Sequence, residues 1–353
     1  MKVLISALPA VSIMNQADLI KKLLESKGFD VEYKRTISVY DIRNDEIYGF
    51  LWVTLATVPF LGDAVYPYLE AKSRGTKQVA IYVTIEGIPT RANVYMSNIP
   101  KLEVIANSKF TYECLYKGGY RVVGWIHHAI DWDFCQKMSS TADYLRKRFD
   151  KEYGDKCRLI YVGRYDPRKA LPKLAQAVKY LNEKGRDDFV LLLVTDRKAM
   201  ELFGGDEPYP NVVFHAPTGS MPYGALLQTI SACHYLVFPT VCEGFGLPVL
   251  EANALGIPAI HCWFPPLNEF SSKDFNFVWD FLEEKLVPEH GTKLWVFHEY
   301  PWEWLADMME YAIDTYHKSK EEYQNYCEKA KEHAKNWDYR KIYSKLLNHL
   351  GVK

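Results

Sequence analysis

Long apolar runs are missing from this chain. No uninterrupted stretch of about 18 apolar residues occurs, so no transmembrane helix is expected. An excess of charge is missing too. With 43 Lys and Arg against 44 Asp and Glu, the net charge of −1 gives no general attraction to nucleic acid or to an anionic membrane. The 7 cysteines form no CxxC pair, which argues against a zinc site and a disulfide framework and for a reducing, cytoplasmic setting. Repeats and low-complexity tracts are also absent. The opening "MKVLISALPAV" carries one lysine and a short apolar run, and it leads directly into a helical pattern. It therefore reads as a first strand rather than a signal peptide.

What is present is alternation. Apolar runs at 2–8, 48–56, 77–85 and 102–108 are separated by helical stretches such as 15–28. Short buried runs alternating with helices predict a parallel sheet built from crossover units. At 145–156 the pattern breaks into charge and glycine, "LRKRFDKEYGDK". A boundary there divides the chain into 1–150 and 151–337. A second alternating series follows, with strands at 158–163, 188–195, 211–216, 234–239 and 257–262 and a helix at 170–185. Polar helices at 318–337 and 339–351 close the chain. The fold class is α/β: two doubly wound, Rossmann-like domains facing across a cleft, where open sheets of this kind take their ligands.

The most informative stretch is "PTVCEGFGLPVLEANALGIPAI" at 239–260. A buried strand runs into a turn with Gly244 and Gly246, then into a helix opened by Pro248 and ended by Gly256. Loop amides and a helix N-terminus together suit a phosphate. Glu243 and Glu251 flank that turn. A carboxylate repels phosphate but accepts hydrogen bonds from sugar hydroxyls. Two carboxylates on either side of a phosphate cradle therefore suit a nucleoside diphosphate sugar. Glu251 sits among Val249, Leu250, Ala252 and Ala254, and a charge in so apolar a helix needs a partner.

The segment "EGFGLPVLEANALGIPAI" resembles the signature of glycosyltransferase family 4, the retaining glycosyltransferases of the GT-B fold. "LIYVGRYDPRKALPKLAQAV" (159–178) is similar to the family's first C-domain segment. The resemblance implies that Gly163, Arg164 and Lys169 face the donor diphosphate. It also implies that Glu243 contacts the transferred sugar, that the amides of Phe245, Gly246 and Leu247 contact the sugar or the phosphates, and that Glu251 holds the ribose. The turn 214–217, with His215, would pack on a uridine or guanosine base. In the N-terminal half, Glu86 of "VTIEGIP" stands where the family often has a histidine, and is a candidate to orient the acceptor or take its proton. His127 and His128 replace part of the family's Pro-Asn-Gly and read as structural or cleft-lining. The family's Gly-Gly pair in the first loop is missing from "SALPAVSIMN" (6–15), which leaves open a protein that binds donor without turnover.

The same resemblance implies a last helix, about 338–353, crossing back to the N-domain, and a reaction needing no metal or other cofactor. Its partners would be a UDP- or GDP-sugar and an acceptor hydroxyl, without nucleic acid, and with membrane contact only if the acceptor is a lipid. A GT-B nucleotide-sugar epimerase is the alternative chemistry. A metal-dependent GT-A reading would centre instead on Asp131 and Asp133 of "HHAIDWDFC". The role of the aromatic-rich stretch 265–295 is not legible from the sequence.

Overall fold

The computed structural model describes residues 1–57, 61–76, 78–90, 102–205 and 207–350. The first residue of the expected 77–85 strand and the last three of the 338–353 segment lie outside the described residues. The first sheet has six parallel strands. They are β1 (Lys2–Ala7), β2 (Asp30–Tyr33), β3 (Ile47–Leu55), β4 (Val79–Thr84), β6 (Val104–Ala106) and β7 (Val122–Trp125), in the order β2-β1-β3-β4-β6-β7. A short strand, β5 (Gly87–Pro89), leaves this sheet at the end of β4.

The second sheet is also six-stranded and parallel. It contains β8 (Cys157–Val162), β9 (Phe189–Val194), β10 (Val212–Ala216), β11 (Tyr235–Phe238), β12 (Ala259–Cys262) and β13 (Phe277–Trp279), in the order β10-β9-β8-β11-β12-β13. Helices on both faces bury β9, β11 and β12 completely, which is why β9 reads FVLLLV without a polar residue. The strand order reverses between β8 and β11. The loops leaving those two strands, 163–170 and 239–246, meet at this switch point, the place where open sheets of this kind form their ligand crevice.

The chain leaves the first domain earlier than 150. Cys135 and Phe149 are buried in the core of the second sheet, on helices Trp132–Ser140 and Asp143–Tyr153. The charge run at 145–156 is thus the exposed face of a helix with one buried aromatic, rather than a linker. Helices Trp302–Lys318 and Lys320–Ala334 also pack on the second domain. Then the chain crosses back. Ile130 N–H donates to Trp337 O (3.1 Å) and Tyr339 N–H to Ile130 O (2.9 Å), so the two crossings run side by side. Tyr339, Tyr343, Leu346, Leu347 and Leu350 then join a buried cluster of the first domain, with the Tyr343 ring edge-on to Tyr82 of β4 at 6.0 Å.

The stretch that was not legible forms β13 and a hairpin of β14 (Glu283–Glu289) and β15 (Lys293–Glu299). β15 pairs antiparallel with β5 of the first domain, Leu294 opposite Ile88, so a three-stranded sheet joins the two domains. Gly87 makes this possible: a Cβ there would lie 2.0 Å from Leu294 O.

Candidate active site

The 239–251 segment folds as its residue types dictate. Gly246 adopts φ 102°, a left-handed conformation that turns the chain into helix Leu247–Ala254. Pro248 is the second residue of that helix, not the first. Gly244 lies against the first domain, where a Cβ would meet Thr84 Cγ2 at 2.6 Å. Its carbonyl accepts hydrogen bonds from Asn107 Nδ2 (3.1 Å) and Ser108 Oγ (3.3 Å). The Phe245 ring stacks on Phe270 at 4.7 Å. Among the described residues, no acceptor faces the Phe245 and Gly246 amides.

Glu243 is 6% exposed. It accepts hydrogen bonds from Lys169 Nζ and from Thr240 Oγ1 (2.9 Å), and Arg168 Nη1 lies 3.4 Å away. The loop after β8 sets this up. Asp166 caps the turn Pro167–Lys169 by accepting from Arg168 N–H (3.1 Å). Arg168 O accepts from Val241 N–H (2.9 Å) and Thr240 Oγ1 (2.9 Å), locking the two crevice loops together. Ala170 follows in the left-handed region (φ 49°), a conformation costing about 1–2 kcal/mol in an L-residue. Burial, with the neighbouring Arg168 charge, pushes the Lys169 ammonium below the usual lysine range against the pull of Glu243.

Arg164 is placed differently. It is exposed, and its guanidinium has no ion-pair partner among the described residues. Its carbonyl accepts from Tyr161 OH (3.3 Å), and Gly163 O accepts from Thr218 Oγ1 (3.2 Å). The cation that joins Lys169 at Glu243 is Arg168, which sequence reasoning missed. The Asp-Pro pair before it marked a capped turn, and that signal could have pointed to it.

Glu251 is 7% exposed and accepts a hydrogen bond from Tyr223 OH (2.8 Å). The partner its apolar helix demands comes from the 211–240 segment. Burial raises the Glu251 carboxyl to about 7, and the Tyr223 hydrogen bond offsets this only in part. His215 is half-buried and packs edge-on against Phe149 (5.9 Å) of helix Asp143–Tyr153.

Across the cleft, Glu86 pairs with Lys293 of β15 at 2.5 Å. Cys242 Sγ donates to Glu86 O (3.0 Å), so Glu86 adjoins the residue before Glu243. His128 bonds Tyr82 OH (2.9 Å) and Thr84 Oγ1 (3.2 Å), and burial lowers its pKa to about 3, leaving it neutral. His127 reaches Glu269 (2.8 Å). Glu269 also accepts from the Lys109 and Phe110 amides (2.8 Å each), at the start of helix Lys109–Lys117. His127 therefore bridges the two domains, whereas His128 bonds within the first and meets the second through its ring, edge-on to Phe245 at 5.2 Å. Asp131 pairs with Lys22 (2.5 Å) and Asp133 with Arg340 (2.8 Å), at the crossing rather than in the crevice.

Residues 145–276, which include β8 to β12 and the Glu243 loop, match the family "Glycosyl transferases group 1". This segment is a glycosyltransferase group 1 domain. The whole chain is similar to "Uncharacterized glycosyltransferase 335" of Sulfolobus islandicus rod-shaped virus 1, at 27% identity over 98% of this chain and 100% of that protein. The architecture is GT-B. A glycosyltransferase from Rickettsia africae ESF-5 superposes with a TM-score of 0.73 at 13% identity, covering 99% of this chain and 97% of that one. The Anabaena protein HepE, solved with UDP-glucose, gives a TM-score of 0.70 at 15% identity over 99% of both chains. Among the described residues, no helix of this glycosyltransferase-like chain is long and apolar enough to cross a membrane.

Proposed function

We propose that the chain is a retaining hexosyltransferase, moving a sugar from a UDP- or GDP-sugar to an acceptor hydroxyl without a metal cofactor. The observation that carries this reading is the buried Glu243 held by Lys169, Arg168 and Thr240 beside a helix N-terminus with free loop amides. A lysine ammonium has three protons, so Lys169 can hold Glu243 and still donate to a phosphate. As the sugar–oxygen bond breaks, negative charge grows on the leaving diphosphate. Preorganised cations and amides facing that charge stabilise it, usually the largest catalytic term. Lys169, Arg168 and the exposed Arg164 supply the cations, and the amides of Phe245, Gly246 and Leu247 the dipoles. Glu243 then faces the sugar hydroxyls. Glu251 has Oε1 bonded to Tyr223, and Oε2 is left for the ribose. Glu86 serves the acceptor hydroxyl. Seven unpaired cysteines, six of them buried, suit a reducing, cytoplasmic setting.

The test is nucleoside diphosphate release from a panel of UDP- and GDP-sugars, with and without hydroxyl acceptors, with the product anomer read by NMR. Acceptor-dependent release with retained configuration is expected. Donors that raise the melting temperature without any release would mark a binding protein instead. No release and no thermal shift with any donor would overturn the proposal.

A further inference from the structure

The β14–β15 hairpin lies outside the matched 145–276 segment, yet it sends one charged side chain into the cleft. Lys293 opens β15, opposite Pro89 of β5, and is 7% exposed. Its Nζ sits 2.5 Å from Glu86 Oε2. Burying an ammonium and a carboxylate together costs desolvation at both ends, and a lysine on a hairpin has a cheaper alternative in water. The cleft thus holds two lysine–glutamate pairs. Lys169–Glu243 lies within the second domain, while Lys293–Glu86 spans both domains. Arg168 is coupled electrostatically to both carboxylates.

We infer that Lys293 is a positioning residue: it holds Glu86 as a carboxylate at the cleft beside the Arg168–Lys169–Glu243 cluster, which makes the hairpin part of the active site. This rests on the glycosyl-transfer reading only for what Glu86 does with its charge. The groups facing Glu86 are Lys293 from β15, Arg168 from the 167–169 turn and the Cys242 thiol from the crevice loop. Burial raises the Glu86 pKa, Lys293 and then Arg168 lower it, and the cations prevail. Burial and the nearby Glu86 keep the Cys242 thiol protonated. Without Lys293, only Arg168 and a backbone hydrogen bond at Glu86 oppose burial, and Glu86 takes up its proton at higher pH.

The experiment measures acceptor-dependent nucleoside diphosphate release from pH 3 to 9 in the parent chain, Lys293→Met and Lys293→Arg. In Lys293→Met, kcat should fall about 100-fold, the acidic limb of the kcat profile should move up by about one pH unit, and the UDP or GDP dissociation constant should stay within about 3-fold. Lys293→Arg should restore most of both kcat and the limb. An acidic limb that stays at the parent's position in Lys293→Met overturns the inference, whatever happens to stability. If Lys293→Met does not fold, Lys293→Gln reads the same limb. If the parent transfers no sugar, the glycosyl-transfer reading fails instead. The Glu86 carboxyl is then titrated directly by carbon NMR, its signal identified by loss in Glu86→Gln. An equal Glu86 pKa with and without Lys293 would overturn the inference on its own.

Discussion

Replacing Glu251 with glutamine should make the protein more stable at neutral pH and remove a pH dependence that Glu251 alone creates. The carboxyl titrates near 7 in the folded chain, against 4.5 for its ordinary value, because burial penalises the anion. Between those values the folded chain holds a proton that the unfolded chain has released. Stability is therefore full below the unfolded value and is lost as pH rises through the window, levelling off above about 7. At about 1.4 kcal/mol per pH unit, the loss across the window is about 3 kcal/mol. Glutamine keeps an acceptor for Tyr223 OH and cannot ionise. The assay is thermal melting of parent and Glu251→Gln at matched pH values from 4.5 to 8.5. The variant's melting temperature should equal the parent's at the acid end and exceed it by roughly 6–12 °C at pH 8, from about 2–4 °C per kcal/mol. The difference between the two curves isolates this residue, since every other titrating group is common to both. Ribose hydroxyls donating to Glu251 would favour its anion, so UDP or GDP should protect the parent more at pH 8 than at pH 5.5, and Glu251→Gln equally at both. A melting difference that stays constant from pH 4.5 to 8.5 would refute the reasoning.

Four further outcomes are expected. Lys169→Met leaves Glu243 buried with only Arg168 and Thr240, and should cost roughly 2–4 kcal/mol in urea denaturation as well as turnover. Arg164→Ala removes an exposed side chain and should stay within about 0.5 kcal/mol of the parent while lowering turnover, and parental turnover would make Arg164 a surface cation. Gly87→Ala puts a Cβ 2.0 Å from Leu294 O and should unpair β5 from β15; limited proteolysis within 283–299 faster than in the parent is the readout, and equal rates would show that the pairing tolerates a side chain. Transfer should persist in excess EDTA and in Asp133→Asn, whose partner Arg340 is at the crossing. Abolition by EDTA with rescue by manganese would move the chemistry to Asp131 and Asp133.

Much of the fold was legible because it is written in short-range chemistry. An apolar run between turns becomes a parallel strand, and β8 to β12 fall within a residue or two of the runs at 158–262. Gly246 and Pro248 specify a turn into a helix from their own backbone restrictions. The need for a partner at Glu251 follows from its apolar neighbours alone. The identity of each partner does not, because it depends on which strands lie side by side. Tyr223 reaches Glu251 from 28 positions away, Lys169 reaches Glu243 from 74, and Lys293 reaches Glu86 from 207. The family resemblance made Arg164 the companion of Lys169 at the donor diphosphate. What the sequence did not reveal is that the capped turn at Asp166 and the two hydrogen bonds to Arg168 O bring the neighbouring arginine to Glu243. A charged run at 145–156 looked like a linker because a helix with one buried face reads as polar until its partner surface is known. The β14–β15 hairpin, with its exposed outer strand, shows no strong local pattern. Its place was decided by the edge of β5 in the other domain, and by a glycine that lets the two backbones meet.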